Sequence, residues 1–302
     1  MTRAKNYDFF GIFTYFVPSV ADMFILLGML LFGVVLGNLA SLAVTLIPGA
    51  GMSMAMLVAY PVMFIPAMLY ASVQSRRKSY NSGGILLDNG NFAPVGGFLC
   101  AAAAVAATFC VAFCSDAFSL LLPEPSETFK NLMESMTQSN FVLNFISVSI
   151  FAPVFEEWLC RGMVLRGLLG HGVRPVWTIA VSAAFFALIH LNPWQAVPAF
   201  LIGSLMGYVY YRTGSLKLTM LMHFANNTLS LALSNIDSLK DMDTWMDVIP
   251  ANCYWLLFAA ALLLAVLCIR LFGRIPCDRT GASRKVPPLF ESDIDSADLR
   301  RP

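Results

Sequence analysis

The feature that most constrains this chain is a stretch without charged side chains, residues 23–75, which contains no Asp, Glu, Lys, Arg or His. A helix of about 20 mostly apolar residues crosses the hydrocarbon core of a bilayer. Within the stretch, residues 48–51 read Pro-Gly-Ala-Gly, and proline and glycine end helices and permit tight reversals. The stretch therefore predicts two transmembrane helices joined by a short turn.

Apolar segments continue through most of the remaining chain. The 302 residues are 58% hydrophobic and 12% charged, which lies outside the range of ordinary soluble domains. The further segments are residues 96–122, 141 to beyond 156, 175–190, 193–211, 216–236 and 248–269. We therefore predict an all-α, polytopic membrane protein with about eight transmembrane helices in a domain of residues 1–275. Residues 276–302 mix Pro, Ser, Asp and Arg without periodicity, which predicts a disordered tail.

The charges of the predicted loops indicate an orientation, because cytoplasmic loops collect Lys and Arg. If the N-terminus is cytoplasmic, the inner loops carry Arg3, Lys5, Arg76, Arg77, Lys78, Arg166, Arg174, Arg212, Lys217, Arg270 and Arg274. The outer loops then carry Glu124, Glu127 and Glu134 beside Lys130, and four aspartates beside Lys240. We expect both termini to be cytoplasmic and the protein to lie in the cell inner or plasma membrane, or its equivalent.

The net charge of +1 gives no electrostatic reason to expect a nucleic acid as a partner, since proteins that bind nucleic acids carry a basic face. The lipid bilayer is the expected surrounding. An ionisable side chain at membrane depth is costly and usually lines a cavity or pathway. Three groups of such residues follow one another: Glu156, Glu157 and Arg161, then Phe186 and His190, then His223 and Asn227.

Helical geometry separates the two glutamates, because residues four apart share a face whereas adjacent residues do not. Arg161 therefore faces Glu157, and the two are expected to form an ion pair within one helix. Glu156 is left without a local partner, which suits a general base that takes a proton from water. His223 and Asn227 are also four apart, so an imidazole lies beside an amide, and both groups can stabilise an oxyanion.

A depth estimate tests whether these groups can meet. At 1.5 Å per residue, Glu156 and His190 each lie roughly 20 Å from the inner ends of their predicted helices. His223 lies only about 10 Å from the start of its helix. The three side chains can converge only if the helix of His223 begins deeper, tilts or is broken.

The motifs Glu-Glu-x-x-x-Arg, Phe-x-x-x-His and His-x-x-x-Asn, in this order on successive hydrophobic helices, resemble those of the CPBP intramembrane proteases. That family includes CAAX prenyl endopeptidases and bacteriocin-processing relatives. The resemblance covers about residues 141–236, the expected catalytic core, and implies an eight-helix membrane fold. It also implies roles for single residues: Glu156 activates water, His190 assists, His223 and Asn227 line the same cavity as an oxyanion site, and Glu157, Arg161 and Phe186 support them.

We therefore hypothesise an intramembrane endopeptidase that hydrolyses a peptide bond in a membrane-associated or prenylated, CAAX-like substrate. Two versions of the chemistry are open. Glu156, His190 and His223 could bind a catalytic zinc ion with water as the fourth ligand, as in a metallo-endopeptidase. Alternatively, a carboxylate, two imidazoles and an amide suffice without a cofactor, and we slightly favour this second version.

The same residues permit two other functions. In a proton-coupled transporter, Glu156 and the histidines would form a proton relay, and Glu156→Gln would stop substrate flux in a protein that cleaves no peptide. A non-catalytic membrane scaffold or immunity protein would tolerate Glu156→Gln and His190→Ala. Mutation of Glu156 combined with a cleavage assay therefore separates the three hypotheses.

Overall fold

The computed structural model describes residues 10–123, 127, 140–239, 242, 244–277 and 285–289, without the side chain of residue 119. Within this part of the chain the long helices are α1 (Val20–Thr45), α2 (Met52–Lys78), α3 (Gly97–Ser115), α4 (Phe141–Gly170), α5 (Pro175–Leu188), α6 (Pro193–Thr213), α7 (Leu216–Ser234) and α8 (Ala251–Phe272). Short 3-10 turns lie at Gly11–Phe13, Asp116–Leu121 and Trp245–Asp247. Two short antiparallel strands, β1 (Gly84–Ile85) and β2 (Lys285–Val286), pair with each other.

This architecture confirms the predicted all-α, polytopic membrane protein. Five helices of the described chain are long and apolar enough to cross a membrane, namely α1, α2, α3 with the turn after it, α4 and α8. The shorter α5 and the less apolar α6 and α7 pack among them. Each apolar segment of the sequence forms one helix.

The first two helices form a hairpin whose ends are encoded locally. Ser19 and Asp22 form a capping box at the start of α1, where the side chain of each accepts a hydrogen bond from the backbone of the other. Such a box satisfies amide groups that a helix start leaves unpaired. Gly33 permits close packing of α1 on α2, because a Cβ there would lie 1.8 Å from the carbonyl oxygen of Met63.

Helix α4 is irregular on both sides of the two glutamates. Phe145–Phe151 and Trp158–Leu165 form wider, π-helical turns that flank the regular turn Ala152–Glu157. A side chain of another helix binds a carbonyl in each: Asn227 donates to Val148 (2.9 Å) and Ser182 donates to Cys160 (2.8 Å). Wide turns of this kind occur frequently at functional sites.

Helix α7 begins inside the protein. Its first residue, Leu216, is fully buried, and its backbone N–H donates to Asp88 in the loop between α2 and α3 (2.8 Å). The same carboxylate accepts a hydrogen bond from the hydroxyl of Ser215 (3.2 Å). The α2–α3 loop thus covers the start of the helix that carries His223, and the depth of this helix in the membrane stays a prediction.

Arg166, expected in an inner loop, lies within α4 in the structure. Arg166 is 1% exposed, lies near the end of α4 and donates to the carbonyl oxygens of Gly162, Ile85 and Phe16. It thereby attaches the N-terminal segment and β1 to α4.

Several residues that support the predicted orientation lie outside the described part of the chain: Arg3, Lys5, Glu124, Lys130, Glu134 and Lys240. The cytoplasmic position of both termini therefore stays a prediction. Most of the tail also lies outside the described residues, and its disorder stays a prediction there. Lys285 and Val286 are described, and they form β2, a contact that the sequence did not predict.

Candidate active site

A buried ion pair lies at the centre of the candidate site. Nη1 of Arg161 is 2.7 Å from Oε1 of Glu157, and both side chains are fully buried. Nη2 of Arg161 also donates to the carbonyl oxygen of Gly203 on α6 (2.8 Å). The pair predicted from the four-residue spacing is thus confirmed, and each charge compensates the other away from water.

His223 lies between the two glutamates. Its Nδ1 is 3.2 Å from Oε1 of Glu157, and because an ionised carboxylate only accepts hydrogen bonds, Nδ1 carries the hydrogen. Its Nε2 is directed toward Glu156, 3.9 Å from Oε2. The ion pair on α4 therefore orients the imidazole of α7 toward the other carboxylate.

Glu156 has a partner that sequence reasoning missed. The hydroxyl of Tyr60, on α2, donates to Oε1 of Glu156. Oε2 is buried and has no hydrogen-bond partner among the described residues. The expectation that Glu156 lacks a partner is correct for its own helix and wrong for the folded chain. The sequence contains a signal for this contact, because Tyr60 lies within an apolar span and a buried tyrosine hydroxyl usually finds a hydrogen-bond partner.

The ring of Phe186 on α5 connects the remaining groups. It makes edge-to-face contacts with His190 and His223, at centroid distances of 5.0 Å and 5.3 Å. The guanidinium carbon of Arg161 lies 4.9 Å from the ring centroid, within the range of a cation–π interaction. Phe186 therefore fixes both imidazoles relative to the ion pair.

His190 lies just beyond the end of α5, in the turn that leads to α6, and not within a helix. Its Nδ1 is 2.8 Å from the carbonyl oxygen of Phe186, so Nδ1 donates and Nε2 is the acceptor. In the described structure no hydrogen bond joins His190 to Glu156, and the two histidines meet only across the Phe186 ring. Asn227 is half-buried, and its amide group donates to the α4 backbone at Val148.

The acidic and imidazole side chains of the site do not form a set of metal ligands. Within the described ranges, no three His, Cys, Asp or Glu side chains are grouped closely enough to bind a metal ion. Glu156 and His223 face each other, but His190 is separated from them by an aromatic ring. The arrangement does not fit the zinc site considered from the sequence, and we derive no chemical step through a metal.

Residues 138–229 match a family model described as type II CAAX prenyl endopeptidase Rce1-like. The matched segment includes all three polar motifs, from Glu156 to Asn227. This segment is similar to CAAX-type proteases of the CPBP family, and the match supports in general an intramembrane endopeptidase, a hydrolase that acts on membrane-associated protein. Comparisons with curated proteins and with solved structures gave no match. Tyr60 and Asp88 lie outside the matched segment.

Proposed function

We propose that this protein hydrolyses a peptide bond near the C-terminus of a prenylated, CAAX-like protein, with Glu156 as the general base. The observation that carries the proposal is the pairing of Glu156 with His223. One carboxylate oxygen is held by Tyr60, while the other has no partner among the described residues and faces the imidazole across 3.9 Å. A base must lie within hydrogen-bond reach of the proton that it abstracts, and Oε2 is the oxygen left for a water molecule.

In the proposed reaction, Glu156 takes a proton from water while the water oxygen bonds to the carbonyl carbon of the substrate. The carbonyl oxygen becomes an oxyanion. The carbon–nitrogen bond then breaks, and the proton held by Glu156 passes to the leaving amine. The products are a new carboxyl group and a new amine, and no cofactor is consumed.

The imidazoles and the amide take the remaining roles. Glu157 and Arg161 orient His223, so that its Nε2 can donate to the oxyanion when the ring is protonated. Asn227 uses one amide hydrogen on Val148, which leaves a second to stabilise the same oxyanion. His190 has its Nε2 available as an acceptor, and we assign to it the orientation of the attacking water once substrate is bound.

The test is a cleavage assay with purified protein in detergent, using a peptide library that includes a farnesylated CAAX peptide and its unprenylated counterpart. Glu156→Gln and His190→Ala should each reduce kcat by about 10²–10⁴-fold, the usual contribution of general acid–base catalysis. Cleavage should continue after treatment with a chelator, because the proposed chemistry uses protein side chains alone.

Asp116→Asn is the matched control, because Asp116 is another carboxylate of the helical bundle that bonds to Trp245 and Tyr254 instead. It should cleave as the unaltered protein does. Full cleavage by Glu156→Gln would refute the assignment of the base, and a preference for unprenylated peptides would refute the substrate class.

A further inference from the structure

We propose that Tyr60 is a positioning residue for Glu156, whose hydroxyl holds Oε1 so that Oε2 is the oxygen that receives the proton from water. The inference rests on the proposed function and deepens it. It concerns a residue on α2, whereas the matched family segment begins at residue 138.

The ring of Tyr60 is held by aromatic packing between α2 and α4. Its centroid lies 5.8 Å from that of Phe64, which stacks in turn on Phe155 at 5.2 Å. Phe155 directly precedes Glu156 in the chain. The aromatic contacts therefore fix the distance between the Tyr60 hydroxyl and the carboxylate, independently of the hydrogen bond itself.

A fixed donor makes the two oxygens of a carboxylate inequivalent. The terminal torsion of a glutamate is broad and roughly two-fold, so an unrestrained carboxylate can exchange its oxygens. A hydrogen bond to an ionised acceptor is stronger than one between neutral groups. Because Tyr60 engages one oxygen, the other is kept in a single direction, toward His223.

The surrounding charges explain why the carboxylate needs this restraint. His223 on α7 faces Glu156, and the neighbouring Glu157 and Arg161 on α4 compensate each other. Among the described residues, His223 therefore supplies a polar group that faces Oε2 of Glu156, at 3.9 Å. Without the hydroxyl of Tyr60, the carboxylate can rotate onto Nε2 of His223 whenever the imidazole carries hydrogens on both nitrogens. That hydrogen bond would occupy the oxygen that water needs.

Tyr60→Phe tests the proposal, since it removes the hydroxyl and keeps the ring. In the cleavage assay, kcat should fall about tenfold or more, the effect of losing one hydrogen bond to a charged group, while KM stays within about twofold. Tyr60→Phe should shift the thermal unfolding midpoint in detergent by no more than Tyr70→Phe does. Tyr70 is the matched control because it lies on the same helix and its hydroxyl donates to Asp22 instead (3.1 Å).

A second variant separates positioning from packing. Phe64→Leu disturbs the aromatic contacts but keeps the Tyr60 hydroxyl. It should therefore lower the unfolding midpoint more than Tyr60→Phe does, and lower kcat less. If Tyr60→Phe retains its kcat, or loses stability in proportion to activity, Tyr60 is a packing residue and the inference is wrong.

The same assay keeps the two proposals apart. Absence of cleavage by the unaltered protein would overturn the proposed function. Cleavage that Glu156→Gln abolishes and Tyr60→Phe leaves intact would overturn only the role of Tyr60.

Discussion

Arg161 is a buried cation with partners on three helices. It pairs with Glu157 on α4, donates to the backbone of Gly203 on α6 and lies over the ring of Phe186 on α5. Gly203 admits this contact, since a Cβ there would lie 3.3 Å from Nη2 of Arg161. A single side chain therefore links α4, α5 and α6 around Glu157.

Replacing Arg161 by Met should destabilise the protein severely, by about 3–5 kcal/mol, because it leaves the carboxylate of Glu157 buried and uncompensated. The double variant Glu157→Gln with Arg161→Met removes both charges and should recover much of that loss. Unfolding free energies in detergent, measured for the two single variants and the double variant, give the coupling between the side chains. Equal destabilisation by Arg161→Met and by the double variant would show that charge compensation is not what the pair contributes.

At the scale of secondary structure, the start of α7 determines where His223 lies. Asp88 accepts hydrogen bonds from the first turn of this helix, and its Oδ2 is 3.0 Å from Nζ of Lys217. The carboxylate belongs to a different part of the chain, the α2–α3 loop. The position of the His223 imidazole is thus coupled to a loop that is distant from it in the sequence.

Asp88→Ala should lower the free energy of unfolding by about 1–2 kcal/mol, as the loss of other helix caps does. It should also lower kcat, because the start of the helix that carries His223 is no longer held in place. Lys217→Met is the matched control. The side chain of Lys217 is 48% exposed, and such ion pairs contribute about 0–1 kcal/mol. The unfolding midpoint and the cleavage rate should therefore change little in Lys217→Met. If Lys217→Met loses as much stability and activity as Asp88→Ala, the ion pair and not the hydrogen bonds of the helix start explains the effect of Asp88.

The helices themselves could be predicted from the sequence, because each is a separate apolar segment bounded by charge, proline or glycine. The Glu157–Arg161 pair could also be predicted, since both residues lie on one helix and the spacing fixes their direction. Tyr60 could not, because its contact with Glu156 joins residues 96 positions apart. The end of α5 before His190 and the buried start of α7 escaped prediction for the same reason, since hydropathy does not reveal which turns are covered by other segments.

Across the whole molecule, α4 lies between two apolar clusters. One contains Trp158 and Leu159 of α4 with residues of α1 and α2, and the other contains Cys160 with residues of α3 and α5–α8. The acid side chains are therefore carried by the helix that both halves of the bundle share. Tyr60 packs against the first cluster, and the helix of His223 contributes to both, with Leu216 in the first and Met222 in the second.

The predicted orientation of the whole molecule can be tested with a membrane-impermeant thiol reagent. Cys253, at the start of α8, is exposed and is predicted to face outward. His171 is exposed in the turn between α4 and α5, predicted to be cytoplasmic. In intact cells, Cys253 should be labelled, whereas His171→Cys in a Cys253→Ser background should be labelled only after permeabilisation. The reverse pattern would invert the topology and leave the site geometry unchanged.

The two π-helical stretches of α4 limit how this protein can vary in length. A regular helix turns about 100° per residue, so losing one residue inside Trp158–Leu165 would favour an ordinary helical turn there. The shortened helix would have better backbone geometry. The side chains of Glu156 and Glu157 would, however, point in a different direction relative to the residues of α4 that follow the deletion. Single-residue deletions in these stretches, Arg161 excepted, should therefore yield a well-folded but inactive bundle, whereas a substitution of Ile150, which is 41% exposed, should be tolerated.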